Sequence, residues 1–108
     1  MSDVKTIDDS TFDENVIRSS QPVLVEFTAE WCGPCHQMIP ILDIYSDKNS
    51  TVKILKVNID ESPDSVSKYG VKNVPTFVLF DGGAVIGTKI GSCDFLALDS
   101  FVTEKLNK

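Results

Sequence analysis

A strand that runs straight into a cysteine pair constrains this chain more than any other feature. Val23-Leu24-Val25-Glu26-Phe27-Thr28 is nearly continuous in apolar residues, and three positions later comes Trp31-Cys32-Gly33-Pro34-Cys35, which opens a segment with helical spacing. A strand of that kind is expected to be buried on both faces of its sheet, under helices. Two thiols three positions apart can close a small disulfide ring, and they can also bind a metal. Their placement favours reactivity, because a thiol at a strand-to-helix turn faces unpaired N–H groups and the positive end of the helix dipole, which stabilise thiolate. Such a pair beside a βαβ pattern reads as a redox motif.

The rest of the chain supplies that pattern. Val4 to Ile7 is a short candidate strand, and Ser10-Thr11-Phe12-Asp13-Glu14 resembles a helix start, with Phe12, Val16 and Ile17 as its apolar stripe. Gln21-Pro22 ends that helix. After the cysteines, Met38, Ile41, Leu42 and Tyr45 mark a long helix in which Pro40 removes a backbone donor and should introduce a kink. Val52 to Ile59 reads as a third strand. Ser62-Pro63 then starts a short helix, with Ser62 as its capping hydroxyl, ending at Tyr69-Gly70. Thr76 to Phe80 follows as a fourth strand, Asp81-Gly82-Gly83 as a tight turn, and Ala84 to Ile90 as a fifth strand. Asp94 caps a last helix that buries Phe95, Leu98, Phe101, Val102 and Leu106. The order βαβαβαββα predicts an α/β fold: a central mixed five-stranded sheet flanked by four helices, in a single domain over 1–108.

Sixteen acidic against ten basic residues leave a net charge of −6, which argues against nucleic acid or an anionic membrane as partner. No apolar run approaches the roughly 20 residues that span a bilayer. Met1-Ser2-Asp3-Val4-Lys5 lacks the apolar core of a secretion signal, so the expected location is cytoplasmic. Three cysteines, an odd count with two of them too close together to staple distant parts of a fold, do not make a disulfide scaffold. A tetrahedral metal site needs four ligands, and beyond Cys32, Cys35 and His36 there is only the distant Cys93.

Taken together, Phe27 to Cys35, Pro40, Lys56-Val57-Asn58-Ile59-Asp60, Tyr69-Gly70-Val71, Val74-Pro75-Thr76, Gly83 and Gly91 resemble the thioredoxin family over almost the whole chain. The resemblance implies a thioredoxin-like fold and a thiol–disulfide oxidoreductase that carries electrons on a Cys32–Cys35 disulfide, with no bound cofactor and no metal. Cys32 is then the nucleophile, at the exposed end of the turn, and Cys35 the resolving thiol, whose tethered attack is intramolecular. The ring residues Gly33 and Pro34 carry no charge, which suits a reductant more than an oxidase or isomerase. Glu26 is a carboxylate in an apolar strand, and burial would make it a base near neutrality. The family places Asp there to deprotonate the resolving cysteine; here the side chain is one methylene longer. Lys56 matches the family's lysine near that carboxylate.

Pro75 is implied to follow a cis bond and to pack against the pair. Trp31, Gly33, Pro34, Val74, Pro75 and Gly91, with Gly70 and Ile90, are implied to line a flat apolar docking surface. The implied partners are protein disulfides and an NADPH- and flavin-dependent thioredoxin reductase, acting on a monomer in the cytoplasm. The alternative is a non-enzymatic subunit or scaffold that binds through the same surface. Three residues depart from the family pattern. Thr28 stands where many relatives carry an aromatic residue, so Trp31 is the sole tryptophan; His36 follows the second cysteine, where a solvated position is expected; and Cys93 is expected as a partly buried residue near the last helix.

Overall fold

The computed structural model describes residues 4–107, so the segment Met1 to Asp3 invoked above lies outside the described residues. Five strands, β1 (Lys5–Ile7), β2 (Val23–Thr28), β3 (Lys53–Asn58), β4 (Thr76–Asp81) and β5 (Ala84–Ile90), form one sheet in the order β1-β3-β2-β4-β5. β1, β3 and β2 run parallel, whereas β4 and β5 are antiparallel to their neighbours, so the sheet is mixed as expected. Four helices flank it: α1 (Asp9–Phe12, continued by a π-helical stretch Asp13–Ile17), α2 (Gly33–Lys48), α3 (Pro63–Lys68) and α4 (Phe95–Leu106).

Alternation along the strands divides the core in two. Leu24, Ile54, Phe77 and Leu79 meet Met38, Leu42 and Tyr45 of α2 and Leu98 and Val102 of α4. The opposite set, Val23, Val25, Phe27, Leu55, Val57, Val78 and Phe80, meets Phe12 and Val16 of α1 and the partly buried Val66 and Tyr69 at α3. Val23 to Phe27 are all buried, which is why β2 lacks an apolar–polar alternation. Glu26 lies on the α2 face of this central strand, in register with Lys56 on one side and Phe77 on the other.

Two helix starts differ from the sequence expectation. The cap of α1 is Asp8, two residues before Ser10: its carboxylate accepts the Ser10 N–H (3.0 Å), and Thr11 Oγ1 accepts the Asp8 N–H (3.2 Å), closing a capping box. Ser62 makes no capping bond at α3, and its buried hydroxyl has no partner among the described residues. The Asp9 carboxylate substitutes for it from α1, accepting the Asp64 N–H (2.9 Å), the Ser65 N–H (2.9 Å) and the Ser65 hydroxyl (2.6 Å). α2 continues through Pro40.

Candidate redox site

The turn from β2 into α2 makes Cys32 the N-cap residue of the longest helix. Its backbone is extended (φ −91°, ψ 110°), Pro34 occupies the first turn, and its Sγ accepts the Cys35 N–H at 3.1 Å. That amide is one of the unpaired donors at the helix start, and it favours negative charge on Cys32 Sγ once the pair is reduced. Cys32 and Cys35 are joined as a disulfide with Cα atoms 5.3 Å apart. Cys32 is not at an exposed end: it is 4% exposed and Cys35 2%, both in one buried cluster with Ala29 against which Ile59 and Val74 pack. Exposure belongs instead to the residues around them, Trp31 (68%), Gly33 and Pro34.

The Val74–Pro75 bond is cis. Val74 lies against the cysteines, its carbonyl oxygen 3.7 Å from Cys32 Sγ, and Pro75 is buried. Gly91 donates its N–H to the Pro75 carbonyl (2.8 Å) with a φ of +95° that suits glycine, which draws the exposed end of β5 at Ile90 toward the same rim. The structure therefore brings Trp31, Gly33, Pro34, Val74, Pro75 and Gly91 around the pair. Gly70 stands beyond the C-terminus of α3 and bonds to Ser67 instead of the active-site turn.

Beneath the pair, Glu26 is 1% exposed and its Oε2 has no hydrogen-bond partner among the described residues. Burial pushes its carboxyl up to about 7, opposed by the positive charge of Lys56. Lys56 acts at a distance, since among the described residues Arg18–Asp13 is the one ion pair. A cleft of about 310 Å³ opens nearby, lined by Thr28, Cys35, His36 and Lys56 among others. Thr28 is thus one of its walls. No group of three or more His, Cys, Asp or Glu side chains among the described residues is placed to hold a metal.

Two contacts were not foreseen from the sequence. Asp60 Oδ2 accepts the Trp31 indole N–H (2.9 Å), fixing the exposed ring beside the pair. His36, read as merely solvated, places Nε2 2.8 Å from the Glu30 carbonyl and so ties the first turn of α2 back to the loop before it. Neither bond leaves a periodic trace, although Asp60 was already visible within the motif that starts at Lys56. Cys93 is half-buried as expected, its N–H donating to Met38 Sδ (3.4 Å), and burial pushes its thiol up.

Comparison with known proteins agrees with this geometry. The family model described as Thioredoxin matches residues 3–104. A thioredoxin of Rickettsia bellii is 49% identical over 86 residues, 79% of this chain and 82% of the relative. One of Pseudomonas aeruginosa is 40% identical over 92% of this chain and 93% of its own length, and one of Streptomyces clavuligerus 43% over 82% and 83%.

Proposed function

The chain belongs to the thioredoxin family and is a dithiol–disulfide oxidoreductase; from that premise we propose the division of labour among its residues and its route of recycling. Cys32 attacks the substrate disulfide and forms a mixed disulfide. The observation that carries this assignment is the Cys35 N–H at 3.1 Å from Cys32 Sγ, which stabilises the attacking thiolate at the start of α2. Cys35, tethered three residues away, then attacks Cys32 Sγ, releases the reduced substrate and closes the protein disulfide.

Glu26 takes the Cys35 proton. The reading is supported by a buried carboxyl raised to about 7 and by Lys56, its register partner, lining the same cleft as Cys35. Lys56 keeps the carboxyl from rising further. Trp31, Gly33, Pro34, Val74, Pro75 and Gly91 form the surface that receives an extended protein substrate, with the Val74 backbone beside the sulfur it exchanges with. The oxidised pair is re-reduced by an NADPH- and flavin-dependent thioredoxin reductase, and the protein works as a single-domain cytoplasmic monomer.

Reduction of insulin disulfides by NADPH and a thioredoxin reductase tests the whole cycle. Turnover is expected for the native chain and none for Cys32→Ser; a native chain that fails to turn over overturns the proposal. A chain with both cysteines replaced by Ser that still carries out the biological role would assign that role to binding alone.

A further inference from the structure

We propose that a cleft at the end of the sheet opposite the redox pair binds a small sugar phosphate. It holds about 320 Å³, at the lower end of the roughly 300–1,000 Å³ of small-molecule sites. Its polar lining comes from Lys5 of β1, Asn15 of the π-helical stretch, Gln21 ahead of β2, Ser46 and Asn49 at the end of α2, and Lys53 at the start of β3. The cysteines follow the other end of β2, so the cleft shares no residue with the surface assigned to protein substrates. The inference stands apart from the redox reading and adds a second site to it.

Register and charge select the anionic half of the ligand. Lys5 pairs with Leu55, and Lys53 stands two residues before Leu55 on β3, so strand alternation puts both lysines on the face that Leu55 presents to α1. Two ammonium groups on one face repel each other. Neither has an ion pair among the described residues, where Arg18–Asp13 is the one found. No described Asp or Glu lines the cleft, although the chain carries a net charge of −6. An anion beside the lysines relieves the repulsion and accepts charge-assisted hydrogen bonds from both. A phosphate monoester brings about two negative charges and three acceptor oxygens to that position.

The rest of the lining selects the sugar. Asn15 donates to the Thr11 carbonyl (2.9 Å), Gln21 to the Ser50 carbonyl (3.2 Å) and Asn49 to the Tyr45 carbonyl (3.1 Å). Held by one N–H each, these amides keep a second N–H and an oxygen to offer a ligand. α2 ends here, and the carbonyls of a helix's last turn lack intrahelical partners. That negative dipole end disfavours a bare anion but accepts hydrogen bonds from hydroxyls. The buried Val52, Ile54 and Leu55 supply the apolar part of the lining, suited to the carbon face of a sugar ring. A dicarboxylate would use the lysines and leave the amides and carbonyls unmatched. A nucleotide would find no aromatic lining residue on which to stack its base.

The experiment titrates the isotope-labelled full chain with glucose-6-phosphate and follows amide shifts by NMR, with glucose, inorganic phosphate and succinate as comparison probes. Saturating shifts are expected at Gln21, Ser46, Asn49 and Lys53, with each comparison probe bound about tenfold more weakly or less well still. Lys5→Met/Lys53→Met is expected to weaken glucose-6-phosphate about tenfold or more, while insulin reduction stays native because neither lysine belongs to the redox machinery. If that variant loses its fold by circular dichroism, Lys5→Met, at an exposed position on the edge strand, carries the same comparison. The proposal is overturned if no shifts saturate at those amides, if inorganic phosphate or succinate binds as tightly as the sugar phosphate, or if the folded lysine variant keeps native affinity.

Discussion

Between Lys56 and Phe77 on the central strand, the Glu26 carboxyl is buried, with neither an ion pair nor a hydrogen bond to Oε2 among the described residues. Its value of about 7 lies above the 4.5 of an unfolded glutamate, so the unfolded chain ionises first. Stability is therefore fully present below about 4.5, falls as pH rises toward about 7, and levels off above it. The span corresponds to about 3 kcal/mol lost at alkaline pH. Glu26→Gln is expected to stabilise the oxidised protein at pH 8 by up to that amount and to change little at pH 4. Guanidinium denaturation of both chains at pH 4, 6 and 8 checks this, and parallel stability curves would refute it. The same substitution removes the proposed proton acceptor, so insulin reduction by Glu26→Gln is expected to slow while its fold becomes more stable. A purely structural carboxylate would not separate the two effects in that way.

At the scale of elements, the helices on the α1 side of the sheet are joined by one side chain. Asp9 accepts two N–H groups and a hydroxyl from the first turn of α3, an interaction across more than fifty residues of sequence. Those bonds hold its carboxyl below the usual aspartate value, the Ser65 hydroxyl contributing most. The stabilisation is present above 3.8 and lost as pH falls through the lowered value. Asp9→Ala is expected to lower the denaturation midpoint at pH 7, to lose that difference in acid, and to speed amide exchange at Asp64 and Ser65. Unchanged exchange at those two amides would show that α3 does not depend on the bridge. This bridge also marks the limit of what was legible in the sequence. β2 and β5 were read to their end residues, because apolar runs and a two-glycine turn are local signals. Cys32, Cys35 and Pro75 were legible through their spacing and the family pattern. The start of α1 was misplaced because the hydroxyls of Ser10 and Thr11 masked the aspartate ahead of them. Ser62 was taken for a cap because its true substitute, Asp9, belongs to another element. Periodicity records which face of an element is buried, whereas a bond between two elements depends on how they dock.

For the whole molecule, the β4–β5 turn is where the hairpin meets the end of α1, and its two glycines serve different purposes. Both have positive φ, +61° at Gly82 and +81° at Gly83. A Cβ on Gly82 would meet nothing within 4 Å, so that residue answers only to the backbone. A Cβ on Gly83 would stand 2.8 Å from the Ile17 carbonyl oxygen and 3.2 Å from its Cγ2. The obstacle there is backbone, at the end of the π-helical stretch, and it cannot swing aside as a flexible side chain would. Gly82→Ala is expected to cost about 1 kcal/mol, the penalty of a left-handed conformation alone. Gly83→Ala adds the clash and is expected to cost about 3 kcal/mol or more, because either the turn or α1 must shift. Ile17 packs on the same core as Val23 and Phe80, so a shift there is transmitted to β2 and β4 together. Urea denaturation of the two variants measures the difference, and equal losses would show that the hairpin and α1 are not wedged against each other. The turn lies in the β4–β5 hairpin outside the residues assigned to the redox pair, so Gly83→Ala is expected to lower stability while insulin reduction by the fraction that remains folded stays near native.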